Sequence, residues 1–431
     1  MVRVELRIPD RSLVVLVGTA GSGKSTFARR AFSPTQVLSS DAFRAMVADD
    51  PADQDATSDA FDLLHEVARR RLAAGRLTVV DATNVEREAR AALVRLAKEH
   101  DVRAVAIVLA WPEQVCLERV AARTDRVVDA DVVRGQAALL RGSVGGLAGE
   151  GFRVVHVLRT PEEVDAADVV VEPLRNDLRG VSGPFDVIGD VHGCRAELEE
   201  LLRRLGWVLH RDEQGRATGA HHPAGRTAVF LGDLVDRGPD TPGVLRLAMG
   251  MVEAGTALAV RGNHEDKLVR ALDGRNVKVA HGLAESLAQL SAEPAEFRQR
   301  VREFCAGLVP HYLLDGGRLV VAHAGLPERL HGKESGRVRS FALYGDTTGE
   351  VDEFGLPVRL PWAQDYGGRA TVLYGHTPVP EAVWVNNTMC LDTGCVFGGA
   401  LTALRYPERD VVWVLAQRVW SEPSRPLSRA R

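Results

Sequence analysis

An α/β fold in two successive domains is what the sequence predicts, and three observations carry that expectation. Short apolar runs recur along the chain, each followed within a few positions by Gly, Asp, Asn or His, the pattern of buried strands that hand polar residues to a loop at their C-terminal ends. Stretches of helical length separate many of these runs, the alternation expected of a sheet with helices packed on it. The alternation is interrupted over residues 173–184, where Gly180-Val181-Ser182-Gly183-Pro184 reads as a connector.

At 431 residues there is length for two to three domains, and a composition of 45% hydrophobic and 26% charged residues is that of ordinary globular chains. No run approaches the ~18–20 apolar residues that cross a bilayer, and the N-terminus enters a strand pattern with no signal-peptide core, so a cytoplasmic protein without a membrane partner is expected. Five cysteines, at 116, 194, 305, 390 and 395, form no C-x-x-C pair, which speaks against structural zinc and for a reducing compartment. The net charge of −4 excludes a globally basic nucleic-acid binder, leaving only a local basic groove for that role.

In chain order, Leu13-Val14-Val15-Leu16-Val17 predicts a core strand that runs into Gly18-Thr19-Ala20-Gly21-Ser22-Gly23-Lys24-Ser25-Thr26. This is G-x-x-x-x-G-K-[ST] in its strand–loop–helix setting. Gly18, Gly21, Ser22 and Gly23 let successive N–H groups curl round a phosphate, Lys24 reaches its β/γ oxygens, and Ser25 ligates Mg²⁺, with Thr26 entering the helix. The expected cofactor is therefore ATP or another NTP with Mg²⁺. Val37-Leu38-Ser39-Ser40-Asp41 reads as a strand ending at Asp41, with Arg44 one helical turn on. Asp41 would take a proton from an incoming hydroxyl and Arg44 would grip an acceptor phosphate, although an N-cap Asp with a surface Arg fits the spacing equally. Leu77–Asp81 is the next strand, with Asp81 placed to hold the Mg²⁺ shell and Asn84 beyond it. After the strand Val105–Leu109, Arg119, Arg123 and Arg126 recur near helical spacing. Arg123 and Arg126 suit a lid over ATP, a solvated arginine-rich helix being the other reading. This first domain is expected to span 1–172.

The second domain is expected over 185–420, with 421–431 a disordered tail. Its centre is Val229-Phe230-Leu231-Gly232-Asp233-Leu234-Val235-Asp236-Arg237-Gly238, surrounded by Gly189-Asp190-Val191-His192-Gly193, Gly262-Asn263-His264-Glu265, Ala322-His323-Ala324-Gly325 and Gly375-His376-Thr377-Pro378. Each fragment follows an apolar run. Together they offer carboxylate, imidazole and amide donors, a set suited to Mn, Fe, Ni or Zn rather than Ca or Mg. A pair of ions ~3.5–4 Å apart needs a bridging carboxylate. Asp233 is assigned there, with Asp190 and His192 completing one shell and Asn263, His323 and His376 the other. His264 is expected as general acid oriented by Asp236, Arg237 as the grip on the phosphoryl group, and Asp392 as partner of a ligating histidine. Helix Arg195–Leu205, a surface hairpin or loop over 211–226, helix 241–254, strand Ala257–Val260, a largely helical stretch over 264–310 and strand Val411–Leu415 complete the reading.

These motifs bear a resemblance. GDVHG, GDLVDRG, GNHE, HAG and GH make residues 185–416 similar to calcineurin-type binuclear metallophosphoesterases, a β-sandwich flanked by helices. GTAGSGKST, SSDAFR, DATN and the RTDR lid make residues 10–172 resemble a P-loop 5′-OH polynucleotide kinase, a parallel sheet with helices on both faces. The pairing, with the strings VLSSDAFR, LYGDTTGEVDEFGLPVR and LDTGCVFGG, resembles bacterial polynucleotide kinase-phosphatases of RNA repair. The resemblance implies that Lys24, Ser25, Asp41, Arg44 and Arg123 transfer phosphate to a 5′-OH end. It implies that Asp190, His192, Asp233, Arg237, Asn263, His264, His323, His376 and Asp392 remove 3′-phosphate and 2′,3′-cyclic phosphate with Mn or Ni. RNA ends, or DNA ends, are the implied partner, and a homodimer the implied assembly. The family's long form adds a ligase-like domain, and no K-x-D-G motif precedes Arg431, so sealing is expected to need a separate RNA ligase or a longer chain. The rival expectation keeps both folds but makes the second a diadenosine-tetraphosphate hydrolase or a serine/threonine protein phosphatase.

Overall fold

The computed structural model describes residues 4–123 and 128–423. Cα packing divides the chain into two units, Met1–Leu174 with Lys333–Ser335, and Arg175–Gly332 with Gly336–Arg431.

The first unit runs β1 (Val4–Pro9), β2 (Ser12–Val17), α1 (Lys24–Ala31), β3 (Val37–Ser39), α2 (Ser40–Ala48), α3 (Thr57–Ala73), β4 (Thr78–Asp81), α4 (Arg87–Glu99), β5 (Arg103–Leu109), α5 (Glu113–Ala121), α6 (Ala130–Ser143), α7 (Leu147–Glu150), β6 (Val154–Leu158), α8 (Pro161–Ala166) and β7 (Ala167–Glu172). Five strands pair in parallel in the order β3-β4-β2-β5-β6, and β1 pairs in parallel with β7. The unbroken apolar run of β2 has a cause: both of its faces are covered. Leu13, Val15 and Val17 pack with Leu64, Ala68 and Leu72 of α3, while Val14 and Leu16 pack with Phe27 and Ala28 of α1. Strand β2 lies between β4 and β5, where the strand order changes direction and a crevice opens beyond the C-terminal ends. One expectation is corrected here. The third strand stops at Ser39, and Asp41 stands in the first turn of α2, where a carboxylate meets the positive end of the helix.

The second unit runs β8 (Asp177–Leu178), β9 (Phe185–Ile188), α9 (Arg195–Leu205), β10 (Val208–Arg211), β11 (Ala217–His221), β12 (Thr227–Phe230), α10 (Thr241–Glu253), β13 (Ala257–Ala259), α11 (Asn263–Leu272), α12 (Leu283–Ser291), α13 (Ala295–Gly307), β14 (His311–Leu314), β15 (Leu319–Ala322), α14 (Gly336–Tyr344), β16 (Thr347–Val351), β17 (Pro357–Arg359), β18 (Thr371–Tyr374), β19 (Trp384–Val385), β20 (Thr388–Cys390), β21 (Asp392–Thr393), β22 (Ala400–Tyr406) and β23 (Asp410–Leu415). One sheet has the order β13-β12-β9-β22-β21, with β23 on β22; the other has β19-β20-β18-β15-β14-β8. Alternation along each strand makes the sandwich. Phe185, Val187, Val229 and Leu231 of the first sheet meet Leu319, Val321 and Leu373 of the second. The intervening residues Ile188, Ala228 and Phe230 turn outward to α9 and α10, and Val320 and Ala322 turn to α14. Residues 208–221 form a hairpin, β10 with β11. Among the described residues no helix is long and apolar enough to cross a membrane, and all five cysteines are buried free thiols.

Candidate active sites

Five strand ends of the second unit converge on Asp233. The loop after β9 brings Asp190 and His192, the loop after β12 brings Asp233, Asp236 and Arg237, α11 begins with Asn263 and His264, and His323 and His376 follow the ends of β15 and β18. His192, Asp233, Asp236, Arg237 and His376 all have positive φ, between 46° and 74°. Such strain in non-glycine residues persists only where the surroundings enforce it, and it clusters at functional loops. At Asp233 the support comes from Glu265: its Oε2 accepts from the N–H of Asp233 and of Gly262 at 2.9 Å each, and its Oε1 from Leu234 N–H at 2.8 Å.

The two carboxylate oxygens of Asp233 face different histidines. Oδ2 lies 3.6 Å from His192 Nε2 and 3.7 Å from His264 Nε2, whereas Oδ1 lies 3.4 Å from His323 Nε2. His323 Nε2 is also 2.9 Å from both Asn263 Oδ1 and His376 Nδ1. Backbone carbonyls set two tautomers: His192 Nδ1–H donates to Val235 O and His323 Nδ1–H to Leu231 O, each at 2.9 Å, which turns the Nε2 atoms toward Asp233. His264 Nδ1–H donates to Asp236 Oδ2 at 2.6 Å, as expected of an oriented acid. Arg237 Nη1 donates to His192 Nε2 at 2.7 Å.

The donors nearest Asp233 Oδ2 are His192 and His264, and Asp190 Oδ2 accepts from His376 N–H at 3.0 Å, which leaves Asp190 Oδ1 without a hydrogen bond. Asp392, expected behind a histidine, instead accepts from Gly394 N–H at 3.0 Å: the left-handed turn at Gly394 leaves that amide pointing at the carboxylate.

Burial, then the neighbouring Asp392, pushes the Asp190 carboxyl well above the usual range. Burial, then Asp233, raises Glu265 to about 7, and burial raises Asp392 to about 6. Burial opposes the charge on Asp233, but His323, His264 and His192 hold it well below the usual range. Burial likewise opposes the charge on His323, and Asp233 and Asp190 overcome it, carrying the ring up to about 10. Burial and Arg237 keep His192 neutral, and burial and His323 keep His376 neutral. A crowd of buried carboxylates thus draws positive charge to its centre.

In the first unit, Lys24 is buried and its Nζ donates to Gly18 O and Thr19 O at 2.8 Å each. Burial holds the Asp81 carboxyl above the usual range, with the nearby Ser25 hydroxyl and Lys24 pulling it back down. Burial lowers Lys24 to about 8 against the pull of Asp81 and Asp41, and Arg123 is near enough for its charge to act on the same ammonium. Gly18 and Gly21 have no room for a side chain: a Cβ would lie 2.7 Å from Ser22 Oγ and 2.5 Å from Cys116 O respectively. Arg44 departs from expectation. It is 5% exposed and donates to Asp41 and to Pro51 O, so it anchors Asp41 instead of reaching outward. Asn84 is structural, its amide tying β4 to Leu16 O at 2.8 Å. Arg126 lies outside the described residues.

Residues 183–412 match the model of the calcineurin-like phosphoesterases. The chain belongs to that family. Residues 13–144 match a model described as an AAA domain, so a P-loop domain precedes the phosphoesterase, the pairing of a kinase–phosphatase fusion. The phosphoesterase half is 46% identical over 234 residues to a bis(5′-nucleosyl)-tetraphosphatase of Anoxybacillus flavithermus, covering 53% of this chain and 93% of that one. It is 43% identical over 242 residues to the Bacillus subtilis protein of the same name, covering 55% and 97%. A solved serine/threonine phosphatase of Saccharomyces cerevisiae superposes with TM-score 0.40 at 17% identity, over 58% of this chain and 86% of its own.

A calcineurin-like phosphoesterase implies divalent metal ions, and the residues present fit them. Asp190 Oδ1 and His376 Nε2 are buried without a hydrogen-bond partner. Asn263 Oδ1, His376 Nδ1 and Asp233 Oδ1 surround one point at His323 Nε2, a donor set that a cation satisfies together. In the P-loop domain, Ser25 and Asp81 are neighbours, the two groups that would share Mg²⁺. Sequence reasoning passes over the bracing role of Glu265, although the residue sits within the Gly-Asn-His-Glu string, and over the fully buried Arg90. The latter makes paired hydrogen bonds to Glu150 at 2.8 and 2.7 Å, with nothing local to announce them.

Proposed function

We propose that this chain heals broken RNA ends, phosphorylating 5′-OH termini in its first unit and removing 3′-phosphate or 2′,3′-cyclic phosphate in its second. One observation supports the reading: a P-loop domain and a calcineurin-like phosphoesterase domain share one chain, and a broken strand offers a substrate to each. In the first unit Lys24 neutralises the β/γ oxygens of the nucleotide, Asp41 held by Arg44 accepts the proton of the attacking hydroxyl, and Arg123, with Arg126 as the sequence expects, adds positive charge at the phosphates. In the second, Asp190, His192, Asp233, Asn263, His323 and His376 would hold two divalent ions, Mn²⁺ or Ni²⁺ by resemblance, which when bound would supply Lewis acidity. Arg237 binds the phosphoryl oxygens. His264, kept upright by Asp236, delivers a proton from Nε2 to the leaving oxygen, and Asp236 stabilises the imidazolium that makes this donation. RNA is the partner, a separate ligase the consumer of the healed ends, and the cytoplasm the setting. End-group analysis of a nicked RNA bearing 5′-OH and 2′,3′-cyclic phosphate tests this: 5′-phosphate and 3′-OH are expected, and unchanged ends would overturn it.

A second reading rests on the relatives named bis(5′-nucleosyl)-tetraphosphatase, which align with the phosphoesterase half. Here that half cleaves dinucleoside polyphosphates and the kinase takes another acceptor. Hydrolysis of diadenosine tetraphosphate, with no label passed from ATP to a 5′-OH oligonucleotide, would select it.

A further inference from the structure

Beside Arg237 lies a cationic loop that the proposed chemistry does not use. Residues 273–282 link α11 to α12, and both ends of the segment 277–283 are anchored: Val277 packs on the core and Leu283 is fully buried. Lys267 Nζ, from α11, donates to Ala280 O at 2.7 Å and ties the loop down from below. Gly282, at φ 87°, passes so close to the Arg237 backbone that a Cβ there would lie 2.1 Å from the Arg237 nitrogen. The pinned loop therefore turns Lys278 and His281 to solvent at the edge of the metal site, and His281 is itself held at φ 59°. Partial burial, then the charges of Arg237, Lys267, His264 and Lys278, hold His281 below the usual histidine range, so His281 is a neutral N–H donor beside the positive charges of Arg237, Lys267 and Lys278. Asp236, the carboxylate that acts on Lys267 from this side, is buried and occupied by His264.

We propose that Lys278 and His281, backed by Lys267, form a second anion subsite that binds the phosphodiester next to the scissile terminal phosphate. The phosphoesterase would thereby prefer the 3′ end of a strand over a mononucleotide. The inference rests on the proposed reading of the second unit and names its substrate class as polynucleotide. Arg237 takes the terminal phosphoryl group, so an adjacent backbone phosphate meets the next positive surface, and charge-assisted hydrogen bonds to phosphate give that meeting its affinity.

The test uses the full chain with Mn²⁺ and four substrates: a 3′-phosphate-terminated oligoribonucleotide, a nucleoside 3′-monophosphate, diadenosine tetraphosphate and p-nitrophenyl phosphate. For the double variant Lys278→Ala/His281→Ala, the ratio of kcat/KM for the oligonucleotide to that for p-nitrophenyl phosphate is expected to fall about tenfold, mostly through KM. The slope of log KM against log salt should flatten by roughly 0.7 for each backbone phosphate that the variant no longer neutralises. Lys278→Arg is expected to keep most of the ratio. An unchanged ratio, or equal losses on every substrate with a lowered Tm, overturns the subsite. A loss confined to diadenosine tetraphosphate overturns the polynucleotide assignment in favour of a polyphosphate. If the native chain hydrolyses p-nitrophenyl phosphate but never the oligonucleotide, the end-healing reading fails, and this inference with it.

Discussion

The two units grip phosphate by opposite means. Around Lys24 the grip is a backbone device: glycines with no room for a Cβ shape a loop of amides, and one lysine and one serine supply the side-chain chemistry. Around Asp233 the grip is made of side chains delivered by five separate strand ends, several of them at backbone angles that only glycine adopts freely. The difference teaches where each site is vulnerable. A continuous loop fails when its glycines or its lysine change. A convergent cluster fails when the residues that hold the converging loops change, even those that touch no substrate.

The sharpest break in the comparison is the reciprocal pair. Lys24→Ala should abolish NTP-dependent phosphoryl transfer and leave phosphate-ester hydrolysis near the native rate, and Asp233→Ala should do the reverse, both read by end-labelling and phosphate release. Loss of both activities in either folded variant would dissolve the picture of two independent sites. Next in size, His264→Ala should slow hydrolysis of an alkyl phosphate ester by roughly 10²–10⁴-fold and that of p-nitrophenyl phosphate far less, because a nitrophenolate leaves without a proton. Equal losses on both esters would remove His264 from the acid role.

A smaller effect separates the units by pH. Burial lowers Lys24 from the usual lysine range to about 8, so between pH 8 and the unfolded value near 10.5 the unfolded chain binds more protons than the folded one. Stability of the first unit should therefore rise with pH across that window, by on the order of 3 kcal/mol from this residue alone, with the cost fully present below pH 8. Denaturant unfolding of the native chain and of Lys24→Met at pH 7.5 and pH 10 checks it: the advantage of the methionine variant should shrink at the higher pH. Smallest is Glu265→Gln, which should cost the second unit about 2 kcal/mol, because one amide cannot accept from three backbone N–H groups as a carboxylate does. Its Tm should fall while kinase activity stays.

Most of both sites was legible in the sequence, for a physical reason. Strands buried on their faces read as apolar runs, and functional groups follow them at the C-terminal tips, so Lys24, Asp81, Asp233, His323 and His376 announce themselves by position. What was illegible depends on contacts between distant segments. Nothing local reveals that the Asp190 carboxylate accepts from the N–H of His376, 186 residues on, or that His264 and His192 meet at Asp233 Oδ2. The Arg90–Glu150 pair spans 60 residues and pins α4 to α7. The end of the third strand at Ser39 escapes a sequence reading because Ser-Ser-Asp serves equally as strand tip and as helix entry.

The pairing of β1 with β7 has a consequence for how such a chain could arise. Val4 lies opposite Ala167 and Pro9 opposite Glu172, so the polypeptide enters and leaves the first unit within the length of one strand. A module whose entry and exit lie one strand's length apart can be joined ahead of another enzyme through a short tether without redrawing either fold.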